Sequence, residues 1–286
     1  MAYITIAAGI WGTGALLSYQ HSYHAGGPAD VHKHVALSIL LARLRQKEKP
    51  FCVIDLYAGD GTYDLAAAAA EKTKEFQSGI AKLWPEMPPA ADLYADVLRD
   101  LNADGDLKRY PGSPAIARAA LRAGDRLIVN ELHPAAYRHL RRWWQEDPRI
   151  ALHKRDGLEA MTALTPPTIR RGLMIVDPSY EVKTEYTEIP EKLRATVRRW
   201  AEGIYLVWYP VLAEDRHRAL LGALSTLDAE VLGCELTLNA TKGLLLGTGV
   251  AVVNPPHQFD DIMCDTGTWL AAKLGGKHAV KWLKRN

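Results

Sequence analysis

Phe51-Cys-Val-Ile-Asp55-Leu-Tyr-Ala-Gly59-Asp-Gly61 holds the pattern from which the architecture of this chain follows. A short apolar run ends in a carboxylate and passes at once into a glycine-rich turn, as in a parallel strand that is buried on both faces and feeds a helix. The pattern recurs downstream. Arg126-Leu-Ile-Val-Asn130 leads to Glu131, Gly172-Leu-Met-Ile-Val176 to Asp177, and Gly203-Ile-Tyr-Leu-Val-Trp208 to Tyr209-Pro210. Helical stretches separate these runs: a basic one from Val35 to Lys49, then Pro134 to Gln145 and Ile189 to Glu202. The alternation predicts an α/β fold with a mostly parallel sheet. Near the end, Val231 to Leu238 and Leu244 to Val253, joined through Asn239-Ala-Thr-Lys-Gly243, read as an antiparallel hairpin. Leu65 to Arg109 interrupts the rhythm. It is Ala-rich, contains Trp84-Pro-Glu-Met-Pro-Pro89 and no strand-like run, and reads as an inserted helical subdomain.

The chain has 286 residues, enough for a full hydrophobic core. Its 48% hydrophobic and 24% charged content excludes the disordered, collagen-like and coiled-coil classes. Lys and Arg number 35 against 33 Asp and Glu, and a net charge of +2 by itself points to neither nucleic acid nor membrane. The distribution is uneven. Arg138, Arg141, Arg142, Arg149, Lys154 and Arg155 face two acids in one segment, and Ala271 to Asn286 holds five basic residues against none. Such segments suit phosphate contacts or, more plainly, solvated helix faces. Cys52, Cys234 and Cys264 are dispersed and form no Cys-x-x-Cys pair, so a reducing, cytoplasmic setting is expected. Met1 to Ala15 is uncharged, lacks a basic leader and is interrupted by Gly9, Gly12 and Gly14. It reads as a short appended strand or an over-extended start, not as an export signal or a membrane span.

Polar groups collect at the strand ends, where ligands of doubly wound sheets bind. Gly59 and Gly61 allow a cofactor close to the backbone, but Asp64 stands where a full Gly-x-Gly-x-x-Gly needs its third glycine, which argues against a dinucleotide. Glu131 suits the two hydroxyls of a ribose, or else the dipole of the next helix. Asp156-Gly157 can accept from an adenine amino group or simply cap Leu158 to Leu164. The sharpest motif is Asp177-Pro178-Ser179-Tyr180. A carboxylate and the Pro178 carbonyl that accept both hydrogens of an exocyclic adenine amine localise its lone pair for attack on a methyl group, and Tyr180 offers a face to a base taken out of its stack. A parallel sheet closed by a hairpin also suits a methyltransferase better than a dehydrogenase. Upstream, Ser18-Tyr19-Gln20-His21-Ser22-Tyr23-His24 and Asp30-Val-His32-Lys33-His34 crowd four of the ten histidines together. Their spacing lacks a carboxylate partner suited to a metal, so no metal site is expected and a nucleic-acid and cofactor lid is.

In order, Tyr19-x-His21-Ser-Tyr-His24-Ala-Gly26, Ala29-Asp30-Val-x-Lys33-His34, Asp55-x-x-Ala58-Gly59-x-Gly61, Pro111-Gly-Ser113-Pro114, Glu131-Leu-His-Pro134, Asp156-Gly157 and Asp177-Pro178-x-Tyr180-Glu181 closely resemble the RlmJ family of bacterial 23S ribosomal RNA adenine-N6 methyltransferases. The likeness runs from Leu17 nearly to the C-terminus. It implies a Rossmann-like class I S-adenosylmethionine-dependent fold with a helical insertion at about 65–109, within a methyltransferase domain at 17–286 that follows an extension at 1–16. It implies a monomer acting on 23S ribosomal RNA before the subunit is assembled. Asp177, with Pro178 and Tyr180, would be catalytic. His34, Tyr57, Gly59, Ser113, Glu131, Asp156, Gly157 and Asp177 would contact S-adenosylmethionine, and Tyr19, His21 and Lys33 would position substrate RNA. Two positions depart from the family: Ser179 replaces a proline and loosens one backbone constraint, and Tyr57 stands where a histidine is common, leaving a backbone contact there. The competing readings are a DNA adenine-N6 methyltransferase, against which the lack of a separate target-recognition domain argues, and a non-catalytic RNA-binding or assembly factor.

Overall fold

A computed structural model describes residues 21–84, 86–239 and 245–285. Tyr19, the extension at 1–16 and most of the hairpin turn lie outside the described residues. The parallel strands are β1 (Cys52–Asp55), β4 (Arg126–Asn130), β5 (Ile150–His153), β6 (Gly172–Val176) and β7 (Ile204–Leu212). They are followed by antiparallel β8 (Val231–Leu238), β9 (Leu245–Val253) and β10 (Gly276–Lys284). The sheet runs β10-β8-β9-β7-β6-β1-β4-β5. A separate two-stranded ribbon pairs β2 (Thr62–Asp64) with β3 (Arg109–Pro111). The helices are α1 (Pro28–Arg45), α2 (Ala68–Thr73), α3 (Glu75–Ser78), α4 (Asp92–Leu101), α5 (Ser113–Ala120), α6 (Pro134–Trp144), α7 (Gly157–Ala163), α8 (Glu185–Arg199), α9 (His217–Leu224) and α10 (Phe259–Leu274).

The sheet is buried on both faces because its residues alternate between two cores. Val53, Leu127, Val129, Leu173, Ile175, Leu206, Val250 and Val252 join one core with α1, α4, α5 and α10. Ile54, Met174, Val176, Tyr205, Val207, Ala251 and Val253 join the other with α8 and α9. This period of two explains why the strands read as continuous apolar runs. From β1 the chain builds outward through β4 and β5, then returns to β6 on the other side of β1. That reversal opens a crevice beyond the carboxyl ends of β1 and β6, the topological switch point of a Rossmann-like class I methyltransferase sheet.

Three local expectations change. The first helix begins at Pro28, not Val35, so Asp30, Lys33 and His34 lie in its opening turns; Pro at the first helical position and the preceding Gly27 account for the start. β10 adds a strand beyond the expected hairpin; its interleaved Lys277, Lys281 and Lys284 suit a sheet edge more than a core. α8 begins at Glu185, four residues before the expected Ile189, so Pro190 lies in its second turn, where it forgoes the one backbone hydrogen bond that a residue there would donate to the Tyr186 carbonyl. Residues 65–109 form α2, α3 and α4 between the paired β2 and β3, whose register runs from Thr62 opposite Pro111 to Asp64 opposite Arg109.

Candidate functional site

The crevice opens into a cavity of about 830 Å³ lined by residues in or just beyond β1, β4, β5, β6 and β7. Asp55 closes β1, Glu131 follows β4, Asp156 follows β5 and Asp177 follows β6. From the opposite side α1 brings Asp30, Lys33 and His34. A volume in the range of small-molecule sites, roughly 300–1,000 Å³, with few convergent polar groups, suits a nucleoside-sized ligand.

At its centre Lys33 bridges two carboxylates. Its ammonium donates to Asp30 Oδ1 at 2.8 Å and makes an ion pair with Asp177. Asp30 also accepts from the Gly26 backbone N–H at 3.0 Å and bonds His21 Nε2 at 2.9 Å. Burial opposes ionisation of Asp30, yet His21 and Lys33 together hold it well below the usual carboxylate range. Burial likewise opposes charge on Lys33, and Asp177 and Asp30 outweigh it, so the ammonium stays protonated. Lys33 is therefore a fixed cation and not a base. The first turns of α1 and the Asp177-Pro178-Ser179-Tyr180 turn, far apart in the chain, are locked by this one side chain.

Three further carboxyls hold protons more tightly: Asp55, fully buried at the end of β1, and Glu185 and Glu131, which line the cavity. Burial raises Asp55 from 3.8 to about 7; the Ser113 hydroxyl, donating to its Oδ2 at 2.7 Å, partly offsets this, and Asp177 adds to it. Burial raises Glu185 to about 7 as well, opposed by the Tyr180 backbone N–H and reinforced by Asp156, Glu188 and Glu181. Its Oε2 is buried with no hydrogen-bond partner. Glu131 is raised by burial against the N–H groups it accepts from, Gly59 at 2.7 Å and His133 at 2.6 Å. It thus ties the glycine turn to the end of β4, and the remaining lone pairs of its oxygens stay available. Asp156 caps α7 through Oδ1, which accepts from Leu158 and Glu159, and its other oxygen takes no part in that cap.

His34 carries information about the ligand. The Tyr94 hydroxyl donates to Tyr110 at 2.8 Å, leaving the Tyr110 hydrogen for His34 Nδ1, also at 2.8 Å. Burial and the nearby Lys33 hold the ring neutral, so its single hydrogen belongs on Nε2. That Nε2 is buried and has no protein partner. An orphaned buried donor on His34, with Glu131 and Asp156 also lining the cavity, fits a ligand that has an anionic end and a nucleoside end. The two glycines are required by their tyrosine neighbours: a Cβ at Gly157 would lie 2.2 Å from the Tyr57 ring, and Gly59 at φ +63° would place one 2.2 Å from the Tyr63 hydroxyl.

Tyr180 sits at φ +54°, a left-handed conformation that is uncommon away from glycine. It is held there by its hydroxyl, which donates to the Trp208 carbonyl at 2.8 Å, and by the Tyr186 ring, 4.5 Å between centroids. Only 7% of the residue is exposed, and that edge faces the cavity. The structure thus gathers His21, Lys33, His34, Tyr57, Gly59, Ser113, Glu131, Asp156, Gly157, Asp177, Pro178 and Tyr180 around one cavity. Sequence reasoning missed three contributors: Asp30 as the hub of the buried network, Glu185, and His139, whose Nδ1 meets Asp60 Oδ1 at 2.8 Å on the rim. Asp30 lay in view beside Lys33, and the helix period puts the two on one face at i and i+3; the other two had no signal. Among the described residues no cluster of three or more His, Cys, Asp or Glu side chains is arranged for a metal, and no helix is long and apolar enough to cross a membrane.

Comparisons with known proteins identify the family. The family model described as "Ribosomal RNA large subunit methyltransferase D, RlmJ" matches residues 48–284. The Escherichia coli (strain K12) protein named ribosomal RNA large subunit methyltransferase J is 39% identical over 277 residues, covering 94% of this chain and 99% of its own. The Haemophilus influenzae protein of the same name is 35% identical over 278 residues, with the same coverage of both chains. A crystal structure of a Legionella pneumophila protein, 33% identical, superposes with a TM-score of 0.85 over 91% of this chain and 98% of its own. On sequence and fold, this chain belongs to the RlmJ family of large-subunit ribosomal RNA methyltransferases.

Proposed function

We propose that the chain transfers a methyl group from S-adenosylmethionine to N6 of one adenine in 23S ribosomal RNA, acting as a cytoplasmic monomer on free or incompletely assembled RNA. The observation that carries this reading is the Lys33 bridge, which fixes the Asp177 carboxylate beside Pro178 and Tyr180 at the mouth of the crevice. S-adenosylmethionine, when bound, supplies an electrophilic methyl group. His34 Nε2–H and the glycine turn at Gly59 receive its amino-acid end, Glu131 its ribose, and Asp156, Gly157 and Tyr57 its adenine. Asp177 and the Pro178 carbonyl accept the two hydrogens of the target amine and orient its lone pair. Lys33 holds Asp177 in position, and the exposed edge of Tyr180 meets the extruded base. Tyr19 and His21 act with Lys33 on the RNA side. Residues 17–286 form the methyltransferase unit, with 65–109 as an insertion whose ends are stapled by the β2–β3 ribbon, and 1–16 as an extension.

Nucleoside mapping of 23S ribosomal RNA and genomic DNA from cells lacking the gene tests this. One N6-methyladenine should vanish from the RNA and return with the wild-type gene but not with Asp177→Ala, whose protein still binds S-adenosylhomocysteine. Loss of the mark from DNA instead, or full rescue by Asp177→Ala, would overturn it.

A further inference from the structure

The outer face of α6 has no role in the methyl-transfer site. Its inner face is ordinary: Ala136, Leu140 and Trp144 are buried, and Leu140 and Trp144 close over Gly61 of the glycine turn. The outer face carries Arg138, Arg141, Arg142 and Trp143, all exposed, and the helix holds no acidic residue. Trp143 is 70% exposed, the most exposed large apolar side chain among the described residues, and the Arg142 guanidinium lies 5.6 Å from its ring centre. Neither Arg138 nor Arg142 meets a carboxylate among the described residues, whereas Arg149 and Arg118 on the neighbouring surface are paired with Asp147. Lys154 and Arg155 are exposed in the loop after β5, next to Asp156 of the cavity lining, with Arg155 paired to Glu159 at 2.8 Å.

Position gives this face a partner. Ala135, Ala136 and His139 of the same helix line the cavity, and His139 is tied to Asp60 on the rim. Trp143 stands about 6 Å, a little over one helical turn, beyond His139 along the axis. A stretch of nucleic acid whose target base occupies the cavity can leave over this rim. Unpaired guanidinium groups match its phosphates, and a solvated indole matches the face of an unstacked base, the combination single-stranded RNA binders use. A scattered apolar residue needs no explanation on its own; an indole and unpaired arginines on the one helix that also builds the rim do.

Resting on the functional reading above, we infer that the Arg138–Arg142–Trp143 face of α6 is a docking surface for the single-stranded RNA flanking the target adenine, with Trp143 stacking on a neighbouring base and the arginines contacting phosphates. The test uses full-length protein and protein-free 23S ribosomal RNA, with binding measured from low to moderate salt and methylation followed in parallel. Trp143→Ala should weaken RNA binding and raise KM for RNA roughly ten-fold without altering the salt dependence. Arg138→Gln with Arg142→Gln should reduce the slope of log affinity against log salt by about 0.7 for each phosphate that is no longer neutralised. For all variants kcat and the affinity for S-adenosylhomocysteine should stay as in wild type. Wild-type RNA affinity and salt slope in every variant, with methylation of 23S RNA intact, would overturn the surface and leave the functional reading standing. A wild-type protein that neither binds nor methylates the RNA would remove both. A dimer that Trp143→Ala dissolves would assign the face to a second copy of the chain instead.

Discussion

The opening turns of α1 and the outer face of α6 border the same cavity, yet they handle charge in opposite ways. On α1, Asp30, Lys33 and His34 are buried, and nearly every polar atom has a partner in the protein. On α6, Arg138 and Arg142 are solvated and without a carboxylate partner among the described residues. Buried charge is expensive unless paired and hydrogen-bonded, so a buried network survives only in one geometry, and that makes it a positioning device. Solvated charge has little effect on stability and remains available to a partner. The same residue types thus serve precision in one place and capture in the other.

The contrast breaks most readily at Lys33. Lys33→Met leaves Asp30 and Asp177 facing each other without their cation and should cost about 3–5 kcal/mol of stability in denaturant titrations. Adding Asp30→Asn should recover part of that loss, because the two sites are coupled; a Lys33→Met cost near zero would mean that the network is not what orders α1. Glu131→Ala removes the carboxylate that ties Gly59 to His133 and should weaken S-adenosylhomocysteine binding by roughly 1–3 kcal/mol in calorimetry. An unchanged affinity would strip Glu131 of its ribose role.

Asp55 sharpens the contrast through pH. Its value rises from 3.8 to about 7 on folding because burial favours the neutral acid. The folded protein therefore keeps a proton that the unfolded chain has released, and the contribution is full below about pH 4 and lost as the pH climbs through about 7. Asp55→Asn keeps the shape and an acceptor for Ser113, so its Tm should gain on wild type across that interval. Parallel Tm curves for the two proteins would show that Asp55 is ionised throughout. The smallest effect belongs to α6: Arg138→Gln should leave stability within about 0.5 kcal/mol of wild type, and a larger loss would mean that this face is structural after all.

Much of this protein is legible without coordinates. The strand runs at 52–55, 126–130 and 172–176 can be read off because strands buried on both faces are largely apolar, and their polar successors mark the crevice. Short-range order also exposes Asp177-Pro178-Ser179-Tyr180 and Asp156-Gly157, since each acts within a few residues of a strand end. Less is visible where the environment outweighs local pattern. Pattern alone starts α1 seven residues late, because Asp30, His32, Lys33 and His34 look like surface residues until their partners are known. It passes over β10 because alternating lysines at an edge resemble a solvated tail. Pattern and spacing therefore account for the parallel sheet and the strand-end carboxylates, because each depends on neighbours in the chain, and the ordered motifs carry the resemblance to the family. The Lys33 bridge, the hydrogen on His34 Nε2, the high affinity of Asp55 for its proton and the unpaired face of α6 emerge only from folding, because burial and charge pairing depend on residues that the chain brings together from far apart.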